Sequence, residues 1–187
     1  MLCGRFSESR EKKLRLDDVD MKTFIKTLDI WCGRGDGQEL ELYEVQQLAI
    51  VANRFQIIEV ASLLERAVMD QLCLEACGEV LMCSGRCGML RLEAAALKLA
   101  AERFEKFSRT TGFMRLGEEA LSILLDDDRL EVRSEEAVWE AVVGWKGDTA
   151  GKVGWRGVVG KIRFPLMREE YLRNQVVGMV GREDGGH

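Results

Sequence analysis

Four cysteines in the middle of the chain are the residues whose type best suits metal binding. Cys73, Cys77, Cys83 and Cys87 could together supply four thiolates to a tetrahedral zinc site. Their spacing of three, five and three intervening residues departs from the closely paired ligands of most zinc sites. Cys77 also fits the apolar face of a helix, where free cysteine packs as a small hydrophobic residue. Core packing is the favoured interpretation, and we expect neither a metal ion nor a cofactor.

Other chemical patterns in the chain are weak. Residues 147–152 (GDTAGK) approach a phosphate-binding loop, but only three residues separate the glycines and Val153 replaces the required Ser or Thr. His187 is the single histidine and is terminal, so acid–base catalysis has almost no candidate. The three acids at 126–128 suit a solvated helix end. We therefore expect no enzymatic activity, with a small metal- or thiol-dependent enzyme as the weaker alternative.

Composition limits the partners of the chain. Its 187 residues carry a net charge of −5, which argues against a surface for nucleic acid or anionic membranes. Charged residues interrupt every apolar run before it reaches membrane-spanning length. The N-terminal residues lack the apolar core of a secretory signal, and the six cysteines are then expected to be reduced thiols. We expect a cytoplasmic protein, with the nucleus as the alternative.

The sequence predicts a mainly helical fold. It contains one proline in 187 residues, and helix interiors exclude proline. Residues 13–16 alternate in polarity and predict one short strand, followed by acids at 17, 18 and 20 that could cap a helix. Two helices separated only by residues 56–58 are expected to form an antiparallel hairpin. Apolar residues from 92 to 107 predict one longer helix, and Ser134 predicts the start of another. Residues 164–166 predict an extended break before a last helix near Arg168.

The first 72 residues resemble the C-terminal half of a BTB (POZ) domain. The resemblance is carried, in order, by residues 6–9 (FSES), 16–20 (LDDVD), 24–29 (FIKTLD) and 47–56 (QLAIVANRFQ). Residues 73–180 resemble a BACK domain, through residues 73–76 (CLEA), 124–130 (LLDDDRL), 134–142 (SEEAVWEAV) and 163–167 (RFPLM), with Tyr171 and Leu172. The resemblance implies a helical-hairpin remnant of a BTB domain followed by an all-α BACK array. Residues 181–187 are expected to be a disordered tail.

Proteins of this kind are kelch-like adaptors, so the resemblance implies a cullin-3-type scaffold and an unidentified protein substrate as partners. Phe6 and Glu8 match the family's hydrophobic-x-Glu element, which resembles its cullin-3 contact. Trp31 lies beside residues 32–34, where the family has a Tyr-Thr-Gly sequence near the cullin face. The resemblance therefore implies that Phe6, Glu8 and Trp31 bind a partner protein.

Two alternatives stay open. The chain could be a BTB/BACK scaffold that binds proteins without a cullin, or a fragment from an incomplete gene model that starts upstream of Met1. The resemblance begins part-way into the BTB domain, and no kelch repeats follow it. We therefore expect the face formed by Phe24, Leu28 and the following hairpin to be exposed or covered by self-association.

Overall fold

Helices dominate the part of the chain that the structure describes. The computed structural model describes residues 18–34, 40–147 and 155–176, apart from the side chains of Ser84 and Trp155. Within these ranges there is no strand, and the predicted mainly helical fold is confirmed. The predicted strand at 13–16, the glycine-rich residues 148–154 and the tail at 181–187 lie outside the described residues. No helix in the described ranges is long and apolar enough to span a bilayer.

The chain divides into two units, residues 1–64 and 65–187. The first unit contains α1 (Met21–Trp31), α2 (Leu42–Arg54) and the first residues of α3 (Ile58–Met69). Asp20 caps α1, because its carboxylate accepts a hydrogen bond of 2.8 Å from the backbone N–H of Thr23. The cap predicted from the acids that precede this helix is confirmed at Asp20.

The closely packed pair in the first unit is α1 with α2. The ring of Phe24 meets the ring of Phe55 edge to face with 5.0 Å between centroids. Lys26 of α1 forms a salt bridge of 3.0 Å with Glu44 of α2. A hairpin was also expected at the short α2–α3 connection, and the contact between these two helices is less extensive than that between α1 and α2.

The second unit starts within α3 and continues through α4 (Leu74–Cys87) and α5 (Leu90–Glu102), which pack closely together. Gly88 ends α4 with a φ of 69°, a conformation that glycine adopts without strain. The remaining helical segments of the described residues are α6 (Phe104–Phe107), α7 (Thr111–Met114), α8 (Glu118–Leu125), α9 (Glu135–Gly147), α10 (Trp155–Val159), a 3₁₀ turn (Phe164–Leu166), α11 (Glu169–Tyr171) and a π turn (Leu172–Val176).

A break at Arg103 separates α5 from α6, where the sequence predicted one helix through residue 107. The break has a packing reason. Phe104 and Phe107 are both fully buried, and each meets the ring of Phe113 edge to face, at 5.9 Å and 5.6 Å. The change of direction at Arg103 places both rings against Phe113.

Of the predictions made for α9 and the segment that follows it, two are confirmed and one is wrong. Helix α9 begins at Glu135, directly after Ser134 as predicted. Residues 164–166 form a 3₁₀ turn, so the predicted extended break is wrong. Proline suits the first turn of a helix, where its missing N–H is not needed, and Pro165 lies within the first turn here. The predicted last helix near Arg168 is confirmed as α11.

Candidate protein-interaction surface

Of the residues predicted to bind a partner, Trp31 is the one that the structure describes. It is the last residue of α1 and is 54% exposed, which is unusual for so large an apolar side chain. Phe6 and Glu8 lie outside the described residues, so their position relative to Trp31 is not given by the structure. Trp31 is therefore available to a partner.

Further apolar side chains are exposed on the first two helices. Met21 and Ile25 lie one turn apart on α1 and are 68% and 50% exposed. Tyr43 and Ile50 lie on α2 and are 69% and 37% exposed. We call these four residues and Trp31 the α1–α2 apolar residues. Five exposed apolar side chains on two packed helices are candidates for contact with another macromolecule.

A threonine occupies the inner side of α1, while Met21 and Ile25 lie on its exposed side. Thr27 is fully buried, and its hydroxyl donates a hydrogen bond of 2.8 Å to the carbonyl of Thr23, so the buried polar group has a partner. Ile30 is buried beside it, while Phe24 and Leu28 are only half buried. The face that includes Phe24 and Leu28 was expected to be exposed or covered by self-association, but Met21 and Ile25 are exposed to a greater degree. The i, i+4 spacing of Met21 and Ile25 was the sequence signal that could have placed them on one face of α1. It was missed because a polar residue such as Thr27 was not expected to face inward.

Three of the four clustered cysteines pack as core residues. Cys77, Cys83 and Cys87 are buried, whereas Cys73 is exposed. Burial raises the pKa of Cys77 to about 12, so that thiol is protonated at neutral pH. A hydrogen bond with Cys87, together with burial, raises the pKa of Cys83 as well. Among the described residues no group of three or more Cys, His, Asp or Glu side chains is arranged to hold a metal ion.

Two glutamates at the start of α9 hold the C-terminal segment in the second unit. Glu136 is 6% exposed and accepts hydrogen bonds of 3.1 Å from both the backbone N–H and the Nε of Arg168. These bonds, led by the one from the backbone, lower the pKa of Glu136 to about 2. Glu135 forms a salt bridge of 3.6 Å with Arg163. The last described residues are therefore fixed to α9 by charge-assisted contacts.

One known protein family matches a large part of the second unit. The model of the family BACK, described as BTB And C-terminal Kelch, matches residues 77–177. The chain belongs to the BACK family. The BACK match begins at residue 77, so the BTB resemblance of residues 1–72 stays a prediction.

Curated relatives of this BACK protein are kelch-like proteins. Kelch-like protein 41b of Danio rerio is 32% identical over 169 residues, which cover 88% of this chain and 27% of the relative. Kelch-like protein 41 of Homo sapiens is 31% identical over 92% of this chain and 28% of the relative. Kelch-like protein 40 of Xenopus laevis is 29% identical over 94% of this chain and 29% of the relative. The chain thus spans less than a third of the length of these relatives.

The helices of the BACK segment are tied together by polar contacts that sequence patterns do not show. Glu65 of α3 accepts hydrogen bonds from the backbone N–H groups of Arg91 and Leu92, at 2.9 Å and 3.0 Å, and so caps the start of α5. The buried indole N–H of Trp145 donates to the carbonyl of Leu116 at 2.9 Å. Trp139 and Trp145 are both buried in the core, and the side chain of Trp155 lies outside the described residues. These contacts hold helices of the second unit in place relative to one another.

Proposed function

We propose that this chain acts as part of a substrate-recruiting adaptor for a cullin-3-type ubiquitin ligase and has no catalytic activity of its own. The observation that carries the proposal is the exposure of the α1–α2 apolar residues, of which Trp31 is 54% exposed. The similarity to kelch-like proteins supports a protein as the partner, and the BTB resemblance of the first 72 residues supports a cullin as that protein. The cytoplasm is the proposed location, with the nucleus as the alternative.

The exposed side chains have the chemistry of an interface centre. Tryptophan, tyrosine and methionine are enriched at such centres, and tryptophan and tyrosine bury a large apolar area at little entropic cost. Trp31, Tyr43 and Met21 supply these types on two neighbouring helices. In the proposal, Phe6 adds an apolar contact and Glu8 fixes the register of the partner through its charge. Ubiquitin transfer belongs to the partner subunits.

The BACK segment has the proposed role of a rigid support for a substrate-binding module. Its helices are linked by the Trp145–Leu116 hydrogen bond, by the Glu65 cap on α5 and by the Glu136–Arg168 contact. Such cross-links between helices resist bending and suit a segment that holds two partners at a defined separation. The substrate itself is a protein that the chain's own residues do not identify.

Co-precipitation with cullin-3 tests the proposal on the full chain. We expect the wild type to recover cullin-3, and both Trp31→Ala and the double variant Phe6→Ala/Glu8→Ala to recover about fivefold less or lower, as truncation of an interface anchor costs about 1 kcal/mol or more. Leu166→Ala is the matched control, because Leu166 is also an exposed apolar residue (68%) but lies in the second unit.

Each result has a defined consequence. Equal recovery by the wild type and the double variant removes Phe6 and Glu8 as the contact. Failure of the wild type to recover cullin-3 rejects the ligase role and leaves a cullin-independent scaffold. Sedimentation of the same proteins measures self-association, which we expect to fall in Trp31→Ala if the α1–α2 apolar residues also join two copies.

A further inference from the structure

An open groove runs between α4, α5 and α8, wholly within the second unit, with a volume of about 590 Å³. Two large apolar side chains in it are exposed to solvent, Met82 of α4 at 37% and Ile123 of α8 at 49%. The proposed cullin contact does not use these residues. The groove therefore offers apolar area that is separate from the α1–α2 apolar residues.

Two glycines on one face of α4 show where a neighbour is already present and where one is missing. Gly78 and Gly85 are seven residues apart, two helical turns, and so lie on the same face. A Cβ on Gly78 would overlap the backbone of Gly112 in α7, so intramolecular packing explains this glycine. A Cβ on Gly85 would meet no heavy atom within 4 Å among the described residues, and its φ is not positive. Glycine weakens a helix, yet nothing inside the described protein requires it at 85.

Gly85 lines the groove. A glycine on a helix surface lets the backbone of a second helix approach closely, as Gly78 already does for α7. The groove thus continues the helix-contacting face of α4 into a stretch where no described heavy atom lies within 4 Å of a Cβ built on Gly85. A helix is the occupant whose shape suits this arrangement.

The charges along the groove restrict the occupant further. Glu93 of α5 and Glu119 of α8 line the groove, and neither forms a salt bridge with any of the described residues. Arg86 of α4 lines it as well and likewise has no salt-bridge partner in the described ranges. Charges left without partners beside an apolar groove favour an occupant that carries the opposite charges at the same positions.

We propose that this groove binds an amphipathic helix of another protein. Its apolar face covers Met82 and Ile123, and a small residue lies over Gly85. Basic side chains on one flank meet Glu93 and Glu119, and an acidic side chain on the other flank meets Arg86. This surface goes beyond the proposed cullin contact, since it gives the adaptor a second partner that is recognised by the BACK segment itself.

Selection from a displayed library of random peptides of about 16 residues, roughly 24 Å as helix, tests the proposal with the full chain as the target. We expect the enriched peptides to share apolar residues at i, i+3, i+4 and i+7 spacing, an Ala, Gly or Ser among them, and both signs of charge. Their binding, measured by fluorescence anisotropy, is expected to weaken at least tenfold in Gly85→Leu and in Ile123→Glu.

Gly85→Leu is the decisive variant, because leucine favours the helix and points into open space. Loss of binding by a variant that melts no lower than the wild type cannot be due to unfolding. Ala94→Leu is the matched control, since it adds the same side chain at an exposed position of α5 outside the groove. We expect Ala94→Leu to bind the peptides as the wild type does.

Three outcomes overturn the proposal. The first is a library that enriches no amphipathic family, and the second is a family that binds Gly85→Leu and Ile123→Glu as tightly as the wild type. The third is a wild-type dimer in sedimentation that Ile123→Glu disperses, which makes a second copy the occupant. Cullin-3 recovery is measured in parallel and is expected to be unchanged in Gly85→Leu, so failure of the groove and failure of the ligase role are distinguishable.

Discussion

Gly78 of α4 and Gly112 of α7 meet backbone against backbone. A Cβ atom on Gly78 would lie 2.4 Å from the carbonyl carbon and the carbonyl oxygen of Gly112. One on Gly112 would lie 3.0 Å from the carbonyl oxygen of Glu75. Only the absence of both side chains allows α7 to lie this close to α4, and the neighbouring Phe113 is thereby held in the core.

Gly78→Ala is expected to destabilise the protein strongly. The added methyl group would collide with backbone atoms, which cannot rotate away as a flexible side chain can, so the cost is expected to be about 3 kcal/mol of unfolding free energy. Urea denaturation followed by tryptophan fluorescence measures it. Gly144→Ala is the control, because a Cβ there meets only the end of Met114 at 3.8 Å. Equal stability of Gly78→Ala and Gly144→Ala would contradict the contact.

Gly85→Ala is expected to have the opposite effect on the same helix. Alanine favours a helix over glycine by about 0.5–1 kcal/mol, and a Cβ at this position meets no described heavy atom within 4 Å. The melting temperature should therefore rise by roughly 1–4 °C for a chain of this size. Differential scanning calorimetry gives the measurement. A lower melting temperature would mean that the groove is filled or that α4 is not helical at residue 85.

Glu65→Ala is expected to lower stability by about 1–2 kcal/mol. One carboxylate oxygen of Glu65 accepts from the N–H groups of Arg91 and Leu92 at 2.9 Å and 3.0 Å, and both donors lack partners within the first turn of α5. Removing the carboxylate leaves the donors to water and also removes a negative charge from a helix N-terminus. Chemical denaturation is the measurement, with Glu59→Ala as control, because Glu59 is an exposed glutamate of the same helix. Similar losses in both variants would refute the cap.

Local features of the chain could be read from its sequence, because their causes lie within a few residues. Asp20 caps the helix that follows it, and α9 begins directly after Ser134. Each depends on backbone groups at most one turn away. The buried position of Cys77 followed from the helical period in the same way.

Features that depend on contacts between residues far apart in the chain could not be predicted from the sequence. Glu65 caps a helix that begins 25 residues later, and Glu136 binds Arg168 across 32 residues. The break at Arg103 accompanies the ring contacts of Phe104 and Phe107 with Phe113, and the helical period of the sequence does not predict these contacts. For the candidate site, the exposed Trp31 was named from the family resemblance and its binding role stays a prediction, whereas Met21 and Ile25 were missed because Thr27 takes a buried position that a polar residue seldom occupies.

The contact between Glu136 and Arg168 predicts how the protein responds to acid. The pKa of Glu136 is lowered from 4.5 to about 2 by the hydrogen bonds from Arg168, so the folded protein binds a proton there less readily than the unfolded chain. Its stabilising contribution is therefore complete above pH 4.5 and is lost as the pH falls from about 4.5 to about 2. We expect the melting temperature of the wild type to fall more steeply over this interval than that of Glu136→Gln, which has no proton to bind.

The matched control for this acid response is Glu170→Gln, which removes an exposed carboxylate from the same C-terminal segment. Melting temperatures of the three proteins are measured between pH 7 and pH 2. At neutral pH Glu136→Gln should melt below the wild type, because the amide keeps a hydrogen-bond acceptor but loses the charge that attracts Arg168. Near pH 2 that difference should shrink, whereas Glu170→Gln should follow the wild type throughout. Parallel curves for the wild type and Glu136→Gln would show that the carboxylate of Glu136 does not depend on Arg168.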